Sequence, residues 1–286
     1  MKTNLSRIIS GTMTWGIWGK NLSEKAMIEL MNCCFDNHIS TFDHADIYGE
    51  YSTEAAFGKA FANAKIDRSK VQFITKCGIQ TENRCSIKHY DYSKKHIIFS
   101  VENSLKNLKT DYVDVLLLHR PSPLMQAEEI AEVIENLKTS GKIIDFGVSN
   151  FSPSQTQLIN KYAAVSCNQI QFSLTDFEAM NNGILDDMQI NNIVPMAWNP
   201  LGSIFKQKSE KSERILAVAN QLRHKYDVDI DVLLLAWIIK HPAKILPVVG
   251  TTDVSRMLKI NQAAKIELSL EDWFRLYSAS LGSKVP

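Results

Sequence analysis

The chain has 286 residues, 45% of them hydrophobic and 22% charged, with a formal net charge of +1. This is an ordinary globular composition, long enough for one large domain or two smaller ones. The near-neutral balance gives no electrostatic case for nucleic acid or an anionic membrane, and no run approaches the roughly 20 apolar residues of a membrane span.

The five cysteines, Cys33, Cys34, Cys77, Cys85 and Cys167, form no C-x-x-C pair. An odd number so placed argues against a disulfide framework and for reduced thiols in the cytoplasm. The opening MKTNLSRIISG has too short an apolar stretch for a secretory signal.

Short β-branched runs alternate with amphipathic stretches. Arg7–Ser10 reads as a weak first strand, and Met27, Leu30, Met31, Cys34 and Phe35 then recur at helical spacing. Ser40–Asp43 is expected as strand two, with a helix over 53–63 opened by Ser52 as its cap. Val71–Lys76 is strand three, and Ile97, Val101, Leu105 and Leu108 mark the next helix. Val113–His119 is strand four and the clearest of all. Ile130, Val133, Ile134 and Leu137 mark a helix stopped by Gly141.

Strands five, six and seven fall at Lys142–Ser149, Ser166–Gln171 and Ile193–Trp198. Helices follow near Glu210–Tyr226 and Ile230–Lys240. Ile245–Gly250 is strand eight, trailed by helices from about Val254 to Ala264 and Leu270 to Ser280. The polar tract KQKSEKSER reads as a solvated loop and helix start, although its place after strand seven also lets it flank a ligand.

Eight strands alternating with helices, without a linker, predict one α/β domain over 1–286. The count and length favour a closed (β/α)8 TIM barrel with extra helices in its C-terminal part. The rival is an open doubly wound sheet, which usually carries a G-x-G-x-x-G turn after its first strand. Here that turn reads GTMTWGIWG.

Four ionisable groups sit at or just beyond the carboxyl ends of these strands: Asp43 and Tyr48 in TFDHADIYG, Lys76 in VQFITKCG, and His119 in VDVLLLHRP. A barrel gathers such ends at one mouth. Each alone has a duller explanation, as a cap, a solvated charge or a structural histidine; four together suggest proton chemistry. A free tyrosine, with a pKa of about 10, donates its proton poorly at neutral pH. A lysine beside it lowers that pKa, a carboxylate holds the lysine, and the histidine orients a substrate oxygen. Carbonyl reduction fits these groups, with the hydride supplied by a cofactor because no side chain can supply one. No cluster shows convincing metal-ligand spacing. The remaining histidines, His38, His44, His89, His96, His224 and His241, are scattered and read as structural or solvated.

The segments FDHADIYG, FITKCG, LLLHRP, FGVSNFSP, CNQIQFS, PMAWNPLG and PVVGTTDVSR occur in this order along nearly the whole chain. Together they resemble the aldo-keto reductase superfamily, and most of all its bacterial YdhF-like oxidoreductases. The resemblance implies a catalytic tetrad of Asp43, Tyr48, Lys76 and His119. It implies that Ser149, Asn150 and Gln169 hydrogen-bond the nicotinamide carboxamide and that Trp198 stacks on its ring. The plain alternatives are a helix cap before Pro153 for Ser149–Asn150, and barrel packing for Trp198.

By the same resemblance, Leu201 and Gly202 cover the pyrophosphate, while Gly250, Thr251, Thr252 and Arg256 hold the adenosine end, where the backbone N–H groups at the start of the following helix suit a phosphate. The turn departs from the usual pattern. Gly250 and Thr252 stand where many relatives carry a basic residue, and Lys259 and Ile260 stand where Glu-Asn is common. NADP(H) is the expected cofactor and NAD(H) is not excluded. Trp15 is expected as a substrate wall, with Ile79 and Phe205 as weaker ones. The short stretch after Lys265 implies an open pocket and relaxed substrate choice.

A small carbonyl compound is the expected partner, with no obligate protein partner. Two further readings stay open: a nicotinamide-nucleotide-binding regulator of slow turnover, and an unrelated barrel hydrolase or lyase.

Overall fold

The computed structural model describes residues 1–286. Its barrel strands are β1 (Ile9–Gly11), β2 (Thr41–Asp43), β3 (Gln72–Cys77), β4 (Val113–Leu118), β5 (Ile143–Ser149), β6 (Cys167–Gln171), β7 (Val194–Trp198) and β8 (Leu246–Val249). All pair in parallel, each with its sequence neighbour, and β8 closes on β1 through Ile9↔Val248. This is the (β/α)8 barrel, and the open-sheet alternative is excluded. An antiparallel pair, Ile79–Gln80 with His89–Tyr90, forms a hairpin on the loop after β3 that the sequence reading did not anticipate.

Strand parity decides what faces inward. Ile9, Ile74, Val115, Leu117, Cys167, Met196, Leu246 and Val248 fill the barrel interior as one apolar cluster. Their odd-step neighbours Phe42, Phe73, Leu116, Phe146 and Ala197 join the larger core between barrel and helices. Gly147 makes room for this plug, because a Cβ there would come within 2.5 Å of the Cys167 sulfur. Asp43, Lys76, His119, Ser149, Gln169 and Trp198 share the inward parity but lie one layer higher, at the carboxyl ends.

The helices follow their patterns, with local corrections. The first strand is Ile9–Gly11 rather than Arg7–Ser10. The stretch expected as one helix from Val254 breaks at Ile260 into a 3-10 turn, Asn261–Lys265. Ser52 precedes the helix Thr53–Asn63 but gives it no side-chain cap; its hydroxyl donates to the Gly49 carbonyl instead. Ser152, not Ser149 or Asn150, caps Pro153–Asn160, in a reciprocal capping box with Gln155. The extra helices are anchored by Trp237 and Trp273. Their rings stack at 4.9 Å, and each indole N–H donates to the other's carbonyl. No helix is long and apolar enough to cross a membrane.

Candidate active site

Lys76 is the hub of the upper layer. Its ammonium donates to Asp43 Oδ2 at 2.7 Å, to the His44 carbonyl at 2.7 Å and to the Tyr48 hydroxyl oxygen at 3.0 Å. Those are all three of its protons. The other carboxylate oxygen of Asp43 accepts from Gln169 Nε2 at 2.9 Å. Burial opposes the lysine charge, but Asp43 and the tyrosine oxygen more than offset it and hold its pKa above the ordinary value.

Because Lys76 donates to Tyr48, the tyrosine oxygen is an acceptor there and its own proton has no protein acceptor. Burial raises the Tyr48 pKa, against the downward pull of Lys76 and Arg120. The expected lowering by Lys76 is therefore present but outweighed, which corrects the sequence reading: the resting group is a neutral phenol.

His119 stands edge-on to Tyr48, with ring centroids 6.1 Å apart. Burial first, then Lys76, Arg120 and Lys88, push its pKa well down, so the imidazole is neutral. Its buried Nδ1 has no hydrogen-bond partner. A proton on Nε2 leaves only an acceptor unpaired at Nδ1 and gives the ring a donor on the other side.

Tyr48 reaches the site from a loop. Gly49, Glu50 and Tyr51 follow it with φ of 57°, 54° and 67°, three left-handed residues in a row. The two non-glycine residues each carry about 1–2 kcal/mol of strain. Flanking loops hold the turn: Glu50 accepts from Trp18 Nε1 at 2.8 Å and from Asn83, and the Arg84 guanidinium lies 3.4 Å from the centre of the Tyr51 ring.

A second network runs in one direction. Trp198 Nε1 donates to Asn150 Oδ1 at 2.8 Å, Asn150 Nδ2 to Ser149 Oγ at 2.8 Å, and Ser149 Oγ to the Gln169 carbonyl at 3.0 Å. An indole can only donate, so it fixes which way the Asn150 amide faces. One Asn150 N–H and the Gln169 Oε1 keep no protein partner. That donor and acceptor are what an external carboxamide requires.

The wall residues differ from expectation. Trp15 is fully buried, packed on Phe42 and Phe57 at 6.2 and 5.8 Å, so it cannot line a pocket. Trp18, three residues on, is 40% exposed and lies 6.2 Å from the Tyr48 ring. It was missed, although the same GTMTWGIWG segment carries it. Ile79 is buried in a small cluster with Ala45, Ile47 and Tyr48, and Phe205 is exposed.

Arg120, also missed despite adjoining His119 in LLLHRP, lies 5.6 Å from the centre of the Trp198 ring. A hollow of about 540 Å³ at the opposite end of the barrel, lined by Met1, Leu5, Arg7 and Val194 among others, holds none of these groups.

Gly202 is required by its own turn, with φ of 55° and a Cβ that would fall 1.9 Å from Thr175 Oγ1. The close approach at Gly202 is thus to Thr175. Leu201, beside it, is half-buried. After β8, Gly250 accepts from Thr14 Oγ1 at 2.7 Å, and Thr251 and Thr252 are half-exposed. The next helix is capped by Asp253, which accepts from the Ser255 and Arg256 amides at 2.8 and 3.3 Å. Those amides, expected to face a phosphate, already have a carboxylate partner. Arg256 is exposed, and Lys259 is paired with Asp229 at 2.8 Å.

Residues 7–280 match the model of the Aldo/keto reductase family. The chain belongs to that family. Among its relatives, the uncharacterized oxidoreductase YcsN of Bacillus subtilis is 39% identical, over 98% of this chain and 96% of YcsN. A 6-dehydroglucose reductase of Agrobacterium fabrum is 36% identical, over 99% of this chain and 97% of that protein. Oxidoreductase YdhF of Escherichia coli is 36% identical, over 98% and 95%, in keeping with the YdhF-like segments. Of solved structures, the aldo-keto reductase Tm1743 with the inhibitor epalrestat superposes with a TM-score of 0.83 at 24% identity, over 98% of this chain and 97% of that one. An aldo-keto reductase of Klebsiella pneumoniae in complex with NADPH gives 0.79 at 23%, over 95% and 90%. At that identity the superpositions speak for the shared barrel.

Proposed function

We propose that the protein is an NADP(H)-dependent oxidoreductase that reduces aldehydes or ketones to alcohols, with Tyr48 as general acid. The observation that carries this is the saturated Lys76 ammonium, which donates to Asp43, the His44 carbonyl and the Tyr48 oxygen at once. It leaves the phenol proton free for a substrate oxygen. As the proton leaves, the ammonium already in place stabilises the phenolate. Neutral His119 donates from Nε2 to the same oxygen and orients it. Asp43 keeps Lys76 charged, and Gln169 holds Asp43. Proton donation of this kind contributes typically 10²–10⁴-fold in rate.

The nicotinamide nucleotide supplies the hydride when bound. Asn150, Gln169 and Ser149 are the residues to hold its carboxamide, since one donor and one acceptor remain open there. Trp198, half-exposed and fixed through its indole N–H, offers a flat face to the ring. Leu201 and Gly202 would hold the pyrophosphate, and Gly250, Thr251, Thr252 and Arg256 the adenosine end. Exposed, unpaired Arg256 supports a 2′-phosphate, while Asp253 beside it opposes one. A structural neighbour bound to NADPH favours NADP(H). The substrate meets Tyr48, His119 and Trp18. Five free cysteines suit a reducing compartment, the cytoplasm.

The test is NADPH consumption with aromatic aldehydes, α-dicarbonyls and quinones, beside NADH and Tyr48→Phe. The expected result is turnover that favours NADPH and falls on the order of 10²-fold or more in Tyr48→Phe, with cofactor binding kept. Near-normal turnover in that variant would sink the role of Tyr48. Tight NADPH binding without turnover of any carbonyl would favour a regulator.

A further inference from the structure

Arg120 is a cation without a counter-ion at the mouth of the site. Its backbone is anchored: the amide donates to Tyr92 Oη at 3.1 Å, and its carbonyl accepts from the same hydroxyl. Its guanidinium is half-buried beside the Trp198 ring. Arg68 and Arg7, at the opposite end of the barrel, bond to carbonyls or a carboxylate, while Arg84, nearer the mouth, is exposed and packs on the Tyr51 ring. Arg120 bonds to no acceptor and joins no ion pair.

No nearby acid balances it. Asp43 is engaged by Lys76 and Gln169, and Glu50 by Trp18 and Asn83. The charge of Arg120 is felt at both Tyr48 and His119, and that of Lys88 at His119. A half-buried arginine whose guanidinium N–H groups have no protein acceptor offers a fork that suits an oxyanion.

We infer that Arg120 recognises an anionic oxygen group on the substrate, so that this enzyme prefers small carbonyl compounds carrying a carboxylate or phosphate near the reacting carbon. This deepens, and rests on, the reductase reading. With the carbonyl oxygen between Tyr48 and His119, the anionic group lies on the Trp198 side, where the planar guanidinium can take two oxygens at once. The Trp198 face keeps the cation in place.

The experiment compares matched pairs with NADPH: succinic semialdehyde against its methyl ester, and glyceraldehyde 3-phosphate against glyceraldehyde. Wild type, Arg120→Gln and Arg120→Lys are each assayed, and thermal melts confirm folding. The readout is the ratio of kcat/KM for the charged over the neutral member. It is expected to exceed unity in wild type, to fall about 10- to 100-fold in Arg120→Gln, chiefly through KM, and to recover in part in Arg120→Lys. It should also shrink with added salt.

The pair with the larger ratio identifies the anion. Ratios near unity in wild type, or unchanged in Arg120→Gln, overturn the inference and leave the reductase reading standing. A loss of NADPH affinity in Arg120→Gln with the ratio intact also overturns it, by assigning Arg120 to the cofactor. Absence of turnover with every member overturns the reductase reading, and the inference with it.

Discussion

Ile74 and Lys76 lie two residues apart on β3 and face the same interior, yet they belong to different chemical worlds. Ile74 is part of the apolar plug with Val115, Leu117 and Met196. Lys76, one layer up, is as buried but makes three hydrogen bonds. The lower half of the barrel is held by packing, where each group contributes through contacts and area. The upper half is a charged cluster that stays buried only because every lysine proton and both Asp43 oxygens are matched. A barrel lets one strand serve both ends, since parity fixes direction and height fixes environment.

Removing a partner from the upper layer should hurt most. Asp43→Asn leaves a buried ammonium without its counter-charge and is expected to cost about 3–5 kcal/mol in denaturant unfolding. The folded pKa of Lys76 is raised, so its contribution is full below the ordinary lysine value of 10.5 and fades as pH climbs past it. The gap between wild type and Asp43→Asn should accordingly hold at neutral pH and narrow in strongly alkaline solution. A constant gap through that range would show that Lys76 is not the titrating group.

Leu117→Ala in the plug removes packing and leaves no charge behind. About 2–5 kcal/mol should be lost, with turnover of the folded enzyme preserved. Loss of turnover in still-folded protein would mean that the two layers are coupled.

Asp46 tests the middle ground. The residue is half-buried, but its carboxylate reaches inward: Ser100 donates to Oδ2, and Oδ1 is buried without a partner. Burial, with some help from Glu54, raises its pKa to about 7. A raised folded pKa means stability is lost as pH rises from the ordinary 3.8 through about 7. Asp46→Asn should therefore match wild type near pH 4 and exceed it at pH 8, on the order of 1–4 kcal/mol. Equal stability at pH 8 would place the carboxyl nearer its ordinary value.

The smallest expected effect separates two tryptophans. Trp18→Ala should change stability by under about 1 kcal/mol and raise KM, as befits a half-exposed wall. The same change at buried Trp15 would cost about 3–5 kcal/mol, and comparing the two melts checks the exchange of roles.

The eight-strand alternation, the placement of Asp43, Lys76 and His119 at the carboxyl ends of their strands, and Tyr48 on the loop beyond strand two were legible in the sequence. Short apolar runs and their abrupt polar ends are local signals, and a parallel barrel converts them directly into height and direction. Four readings needed the third dimension.

Trp15 and Trp18 look alike in GTMTWGIWG, and only packing against Phe42 and Phe57 sends one inward. The net pKa of Tyr48 is a contest between burial and Lys76, and burial cannot be summed from neighbours in sequence. The amides after β8 looked free for phosphate until the Asp253 side chain was seen to occupy two of them. Whether the guanidinium of Arg120 has an acceptor depends on loops far apart in the chain. The sequence by itself determined the barrel and the cast of ionisable groups, because periodicity and strand ends are written locally. The tertiary structure alone decided protonation, pairing and exposure, because each is a sum over neighbours that only folding brings together.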